Sequence, residues 1–88
     1  MSEVSQAKKE KIKEEVLRII YENYPNFLYT YQVAEHLIRD DEFILSLLNE
    51  LKNKELVTCI SETTGRNVKR KWGFTKEVYE KYNELSSS

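Results

Sequence analysis

The residues best suited to chemistry in this sequence are the cations of one short basic segment. From Gly65 onward no acidic residue interrupts the basic side chains, which are Arg66, Lys69, Arg70, Lys71 and Lys76. Clustered cations neutralise phosphates and release condensed counterions, so they suit a nucleic-acid backbone or a narrow minor groove. Asn67 and Thr64 could add neutral hydrogen bonds to phosphates, or only make a turn. The structural alternative is a charged edge strand, because lysines also prevent edge-to-edge aggregation.

Catalysis and metal binding find little support in the sequence. His36 is the only histidine, and we expect it at the surface with no second His or nearby Cys at metal-ligand spacing. Cys59 is the only cysteine and alternates with Val57, which predicts a small buried side chain, although a bridge between two copies stays open. The sequence has no Gly-rich phosphate loop, Ser/His/Asp set or H-E-x-x-H pattern. We therefore predict a protein that is not an enzyme and that uses no cofactor and no metal.

Length and composition predict one small domain, residues 1–88, with a heavily charged surface. The 88 residues are 40% hydrophobic and 33% charged, which is enough for one core and too little for two. The net charge is -1, so a nucleic-acid surface must come from local segregation of charge. No apolar run approaches the ~20 residues of a membrane span, and no leader is recognisable, so we expect a cytoplasmic protein. Abundant Lys and Glu with few Gly, Pro, Met and Gln favour a thermophilic source.

Apolar residues at helical spacing predict four helices. Their ranges are about 5–23, 31–38, 41–54 and 76–85. Pro25 ends the first helix, because its ring disfavours helical geometry in the preceding residue. The predicted N-caps are Thr30, Asp40 or Asp41, and Thr75. The inward residues of the second and third helices should be Val33, Ala34, Leu37, Ile44, Leu47, Leu48 and Leu51.

The segments between these helices predict short strands. The stretch 27–29 is rich in strand formers, and 56–61 alternates as a strand. The segment 62–67 contains Gly65, where the chain can turn back. The returning strand then places Val68, Arg70, Trp72 and Phe74 on one face and Lys69, Lys71 and Gly73 on the other. We expect Trp72 and Phe74 to anchor the base of this hairpin.

This order of elements resembles the winged helix-turn-helix domain. The resemblance fits without a gap from Thr30 to Thr75, through the apolar positions 33–37, 43–44 and 47–57 and the basic segment around Gly65. It implies an α+β, mostly helical fold in the order α-β-α-α-β-β-α, with a helix-turn-helix over 30–55, a wing over 56–75 and a C-terminal helix over 76–85. It also implies a regulator similar to those of archaea and of the viruses and plasmids they carry.

The outward face of the third helix is an unusual surface for DNA contact. The positions that supply base and phosphate contacts in winged-helix regulators match Glu42, Phe43, Leu45, Ser46, Asn49 and Asn53. The leading end of this set is acidic or apolar, which leaves Ser46, Asn49 and Lys52 as contacts, with Asn49 suited to adenine. Phe43 could contact a thymine methyl, could be turned into the core, or could bind a protein partner together with Leu45.

Aromatic residues form 11% of the chain and should gather where the first helix, the wing base and the last helix meet. All except Phe43 belong to this expected cluster, and they are Tyr21, Tyr24, Phe27, Tyr29, Tyr31, Trp72, Phe74, Tyr79 and Tyr82. We interpret them as core residues with hydroxyls at the rim in preference to base-stacking platforms. Terminal helices form the dimer contact in many winged-helix proteins, and here both carry wide apolar stripes. We therefore expect a homodimer, with an interface drawn from Ile12, Val16, Tyr79, Tyr82 and Leu85.

Two functions follow from these patterns. The first is a sequence-selective transcription regulator that binds double-stranded DNA, with its wing on the backbone or minor groove and its third helix in the major groove. The alternative is a protein-protein interaction module. In that case Asp41, Glu42, Phe43 and Leu45 form the interface, and the wing cations contact an acidic partner.

Overall fold

Four helices and a three-stranded sheet follow one another along the chain in a computed structural model, which describes residues 6–87 and the side chains of residues 6–85. Ser5, at the predicted start of the first helix, lies outside the described residues. The elements are α1 Gln6–Glu22, β1 Leu28–Tyr29, α2 Thr30–Leu37, α3 Asp41–Asn53, β2 Thr58–Thr64, β3 Asn67–Gly73 and α4 Lys76–Ser87. The predicted α+β order α-β-α-α-β-β-α is confirmed. Within residues 6–87, no helix has the length and apolar character needed to cross a membrane.

The starts of α3 and α4 follow from short polar side chains, whereas the start of α2 does not. Asp40 Oδ2 accepts a hydrogen bond of 3.2 Å from the backbone N–H of Phe43 at the start of α3. Thr75 Oγ1 accepts one of 3.2 Å from Val78 at the start of α4. The prediction of Thr30 as a cap was wrong, because α2 begins at Thr30 itself and Tyr29 occupies the cap position. The side chain of Gln32 reaches back instead and accepts from the Tyr29 N–H at 2.8 Å.

The core lies where α1, α2 and α3 meet the base of the sheet. The predicted inward residues of α3 are all buried, and they are Ile44, Leu47, Leu48 and Leu51. Val33 and Ala34 of α2 are buried beside them, whereas Leu37 is half-buried at the edge of the core. Trp72 and Phe74, which are 1% and 3% exposed, close the core from the sheet side. The expected anchoring of the wing base is thus confirmed.

A buried lysine joins α1 to α3. Lys13 is only 5% exposed, and its Nζ lies 2.8 Å from Glu50 Oε1 and 3.1 Å from Glu10 Oε2. Lys9 Nζ holds the other oxygen of Glu50 at 3.0 Å. The hydrogen bond from Lys13 lowers the pKa of Glu50, and the same bond raises the pKa of Lys13. Since Glu50 is on α3, these ion pairs help to set which face of α3 turns outward.

The sheet is antiparallel with strand order β1-β3-β2. The register of β2 and β3 runs from Thr58 opposite Gly73 to Thr64 opposite Asn67, so only Gly65 and Arg66 form the turn. Gly65 has φ +60, as two-residue hairpin turns require. The predicted turn over 62–67 was therefore too long, because pairing continues up to a two-residue loop.

The connection between α2 and α3 contains a left-handed isoleucine. Ile38 has φ 52 and ψ 53 at the C-terminal cap of α2, and its side chain is 90% exposed. Left-handed geometry brings the β-carbon close to the following carbonyl, so this position usually holds glycine or asparagine. Ile38 is consequently a strained and solvent-facing turn residue.

Candidate nucleic-acid interface

The wing hairpin, β2 with β3, presents two chemically different faces. Directly paired residues share a face, and successive residues alternate. Val68 and Arg70 share the face that continues into the buried Trp72, whereas Lys69 and Lys71 lie on the opposite face. The alternation predicted for this strand is confirmed. Its consequence is that the wing cations do not all point in one direction.

Lys71 is held by a carboxylate from the neighbouring strand. Lys71 Nζ lies 2.7 Å from Glu62 Oε2, and the hydroxyl of Tyr29 donates to Glu62 Oε1 at 2.7 Å. These contacts form a Tyr29–Glu62–Lys71 network that joins all three strands of the sheet. The Lys71 hydrogen bond, followed by that of Tyr29, lowers the pKa of Glu62. The hydrogen bond to Glu62 in turn raises the pKa of Lys71 and of Tyr29.

The other predicted cations of the wing face solvent. Arg66, Lys69 and Arg70 are exposed, and none forms a salt bridge within residues 6–85. Lys69 Nζ lies 5.7 Å from the centroid of the Tyr29 ring, within the range of a cation-π contact. Asn67 pairs with Thr64 beside the turn and is also exposed. The sequence treats the four cations of 66–71 alike, but the structure separates Lys71 from the other three.

A groove of about 390 Å³ separates the wing from the start of α3. Val68 and Arg70 line it from the wing, and Asp41, Glu42 and Leu45 line it from α3. The other lining residues are Lys69 of the wing and Tyr29, Thr30 and Tyr31 at the start of α2. One side of the groove is therefore cationic and the other acidic, so a polyanion lying across it would meet attraction at the wing and repulsion at Asp41 and Glu42.

The outer face of α3 carries the polar residues that the sequence predicted there. Ser46, Lys52 and Asn53 are exposed, and Asn49 is half-buried. The Ser46 hydroxyl donates to the Phe43 carbonyl at 2.6 Å, so its oxygen retains only accepting capacity. Phe43 and Leu45 are both half-buried and pack against the core. For Phe43 this supports the interpretation in which α3 is turned to bring the ring inward.

Seven of the nine aromatic residues of the predicted cluster form two separate groups, and Phe27 and Trp72 make no ring contact with either group. Tyr21, Tyr24, Phe74, Tyr79 and Tyr82 join α1, α4 and the wing base, with the Tyr24 and Tyr79 ring centroids 3.9 Å apart. Tyr29 and Tyr31 instead stack on each other near the wing, at 5.7 Å between centroids. Phe27 packs on Gly73, where an added β-carbon would lie 2.6 Å from its ring. The first group fits the core interpretation, and the second lies beside the wing cations.

Two residues of the expected dimer interface are not available for contact with a second copy. Ile12 and Val16 are 3% and 0% exposed within one chain, so their assignment to an interface was wrong. They belong to the stripe of α1 that packs on the chain's own core. Tyr79 and Tyr82 are half-buried, and Leu85 is 75% exposed.

Neither His36 nor Cys59 belongs to a cluster with metal-binding chemistry. His36 is exposed, as expected, and Cys59 is a half-buried free thiol opposite Trp72 on the neighbouring strand. In the part of the chain that the structure describes, no three His, Cys, Asp or Glu side chains come together as metal ligands would. Cys59 is less buried than its strand pattern predicted.

The fold is similar to that of solved bacterial regulators. The S. aureus MepR–DNA complex matches with a TM-score of 0.73 and 19% identity, over 86% of this chain and 60% of that one. A PadR-like transcription factor from Bacteroides fragilis matches with a TM-score of 0.72 and 14% identity, over 93% of this chain and 82% of that one.

Lactococcus lactis ZitR, a zinc-responsive MarR family member, matches with a TM-score of 0.64 and 17% identity, over 98% of this chain and 54% of that one. The chain thus spans between half and two thirds of the length of MepR and ZitR. No protein-family model and no curated protein sequence matches it. These likenesses show that the fold is a winged helix.

Proposed function

We propose that the chain is a single winged-helix domain that binds double-stranded DNA as a transcription regulator. The observation that carries the proposal is the set of exposed, unpaired cations Arg66, Lys69 and Arg70 on a projecting hairpin, in a chain whose net charge is -1. Local cations with no carboxylate partner are ready to neutralise phosphates. The fold supports the proposal, because it places such a hairpin across a groove from the start of α3.

In this proposal the wing and α3 have different tasks. The wing contacts the phosphate backbone or a narrow minor groove through Arg66, Asn67, Lys69 and Arg70. Helix α3 enters the major groove and reads bases through Ser46, Asn49 and Lys52. The half-buried Asn49 can offer both an acceptor and donors to an adenine edge. Affinity comes mainly from the wing, and sequence preference comes from α3.

The decisive experiment is the salt dependence of binding to a random duplex. Replacing Arg66, Lys69 and Arg70 together by Ala should reduce the slope of log affinity against log salt by about 0.9 for each lost phosphate contact. A matched triple variant, Lys8→Ala, Lys11→Ala and Arg18→Ala, removes the same charge from exposed positions of α1, outside both the wing and the groove beside α4, and should change the slope far less. Equal effects of the two triple variants would overturn the assignment of the wing.

We also propose that two copies associate through α1 and α4, using Tyr79, Tyr82 and Leu85. A groove of about 500 Å³ beside α4 is lined by Leu17 of α1 and by the apolar side chains of Leu56, Phe74, Val78, Tyr82 and Leu85, with the charged side chains of Lys54, Glu55, Glu77 and Lys81 around them. A dimer would place two wings on one duplex and increase the phosphate contacts without any net positive charge. Sedimentation should give a mass twice that of the 10.5 kDa chain, and the Leu85→Asp variant should sediment as a monomer of 10.5 kDa. Wild-type sedimentation at 10.5 kDa at tens of micromolar would contradict the dimer.

The source and location of the protein form the last part of the proposal. The Lys- and Glu-rich composition supports a thermophilic source, and the resemblance stated above suggests a regulator of an archaeon, its virus or its plasmid, acting in the cytoplasm. A melting temperature well above the ~45–65 °C of mesophilic domains is the expected result. A melting temperature within that range would contradict the thermophilic source that the composition suggests.

A further inference from the structure

We propose that Glu62 limits the DNA affinity of the wing by occupying Lys71 in place of a backbone phosphate. This inference rests on the proposed DNA binding and adds a residue that the sequence analysis did not consider as functional. Glu62 is the only acidic residue of the segment 56–75, which otherwise carries Arg66, Lys69, Arg70 and Lys71. Its position on the wing therefore removes charge from the surface that should attract DNA.

The geometry shows that Glu62 acts on Lys71 in particular. In the strand register Glu62 lies directly opposite Lys69, yet its carboxylate meets Lys71 at 2.7 Å along the diagonal. The hydroxyl of Tyr29 binds the second carboxylate oxygen at 2.7 Å, so both oxygens have a partner. Tyr29 itself lies opposite Lys71 on β1. The carboxylate is thus held over the Lys71 ammonium from both neighbouring strands.

The electrostatics agree with this arrangement. The pKa of Glu62 is lowered, first by the Lys71 hydrogen bond and next by that of Tyr29, so the carboxylate stays ionised at neutral pH. A carboxylate at hydrogen-bond distance offers an ammonium the same kind of charge-assisted acceptor as a phosphate oxygen. A phosphate must therefore displace the Glu62 carboxylate in order to bind Lys71. The displaced carboxylate would then face the DNA and repel it. Lys69 also attracts this carboxylate, but without an ion pair or hydrogen bond to it, and Arg70 forms no salt bridge with any described residue.

The test is Glu62→Gln, measured on a random duplex over a range of salt concentrations. Glutamine keeps an oxygen for the Tyr29 hydroxyl and removes the charge that holds Lys71. Lys71 then becomes a phosphate contact, so the slope of log affinity against log salt should steepen by about 0.9. Glu14→Gln on the exposed face of α1 makes the same change in net charge and should leave the slope unchanged. If the slope of Glu62→Gln equals that of the wild type, the inference is overturned.

A double variant separates a role through Lys71 from a general effect of charge. In a Lys71→Ala background, Glu62→Gln should no longer steepen the slope, because the released cation is absent. The same steepening in both backgrounds would show that Glu62 acts only through the overall field of the wing, which also overturns the inference. Thermal unfolding followed by circular dichroism shows that each variant is folded before its affinity is measured.

The failure of this inference and the failure of DNA binding have different signatures. If the wild-type chain shows no salt-dependent affinity for DNA, and the triple wing variant is no weaker, the proposed function fails. If the wild type binds and the triple variant is weaker, but Glu62→Gln matches Glu14→Gln, the function stands and the role of Glu62 fails.

Discussion

Trp72 Nε1 donates a hydrogen bond of 2.8 Å to Oγ1 of Thr30, and so joins the base of the wing to the first residue of α2. Trp72 is 1% exposed, which leaves its indole N–H no access to water. Thr30 therefore satisfies a buried donor on an element more than forty residues away. The hydrogen bond between Trp72 and Thr30 therefore fixes the wing against the helix-turn-helix.

Thr30→Val should destabilise the fold by about 1 to 3 kcal/mol, because a buried donor loses its only acceptor while the shape of the side chain is preserved. Urea unfolding monitored by tryptophan fluorescence measures this effect. Thr30→Ser is the matched control, since it keeps the hydroxyl and should retain most of the stability. Equal losses in the two variants would show that the Thr30 methyl group matters and not the hydrogen bond.

Asn49→Ala should weaken binding to a preferred DNA sequence by about 1 to 3 kcal/mol and leave binding to random DNA nearly unchanged. The reason is that base edges distinguish sequences, whereas phosphate contacts do not. Competition between selected and random duplexes measures the difference, and Asn53→Ala on the same exposed side of α3 serves as a comparison. A uniform loss on both duplexes would assign Asn49 to the backbone. An unchanged preference would reopen the alternative in which this face binds a protein.

The Lys13–Glu50 ion pair predicts a specific loss of stability in acid. A carboxyl group whose pKa is lower in the folded state contributes stability above its ordinary value of 4.5 and loses it as the pH falls through the folded value. Glu50→Gln should therefore lower the free energy of unfolding at pH 7 and flatten its decline below about pH 4.5. Glu35→Gln, at an exposed position of α2, should leave the free energy of unfolding at pH 7, and its decrease in acid, close to the wild-type values. An acid decline as steep in Glu50→Gln as in the wild type would contradict this role.

Ile38→Asn should stabilise the protein by about 1 kcal/mol, because asparagine tolerates left-handed geometry better than a β-branched residue. The side chain is 90% exposed, so the replacement gives up almost no buried apolar surface. Thermal unfolding measures the gain, and Ile38→Val, which keeps the branch, should leave the midpoint unchanged. A lower midpoint for Ile38→Asn would mean that the isoleucine makes a contact that outweighs its strain.

Local pattern predicted the elements of this fold well. The spacing of Ile44, Leu47, Leu48 and Leu51 is a property of α3 alone, so the sequence was sufficient to predict which side is buried. The caps Asp40 and Thr75 act within three residues and were predicted for the same reason. The element order could then be matched to a winged helix.

Contacts between distant segments account for what the sequence did not reveal at Thr30, Lys13 and Glu62. Thr30 is of a residue type that often caps helices, but its hydroxyl accepts a hydrogen bond from Trp72 instead. The local sequence cannot reveal this contact. Lys13 is buried because Glu50 lies opposite it on another helix. Glu62 lies outside the uninterrupted basic segment, yet the hairpin brings it onto Lys71. Each case requires knowledge of which elements pack together, which periodicity does not supply.

Because Gly65 and Arg66 form a two-residue turn, the length of the wing can change only by adding residues to both strands. The number added to each strand decides which face the later side chains occupy. Each strand residue adds about 3.3 Å, close to the spacing of successive base pairs. Inserting one matched residue in each strand would extend the tip by about one base-pair step and reverse which face each later side chain occupies. Inserting two in each strand would extend it by about two steps and keep each later side chain on the face that it occupies now. Related wings that differ in reach should therefore differ in strand length by even numbers.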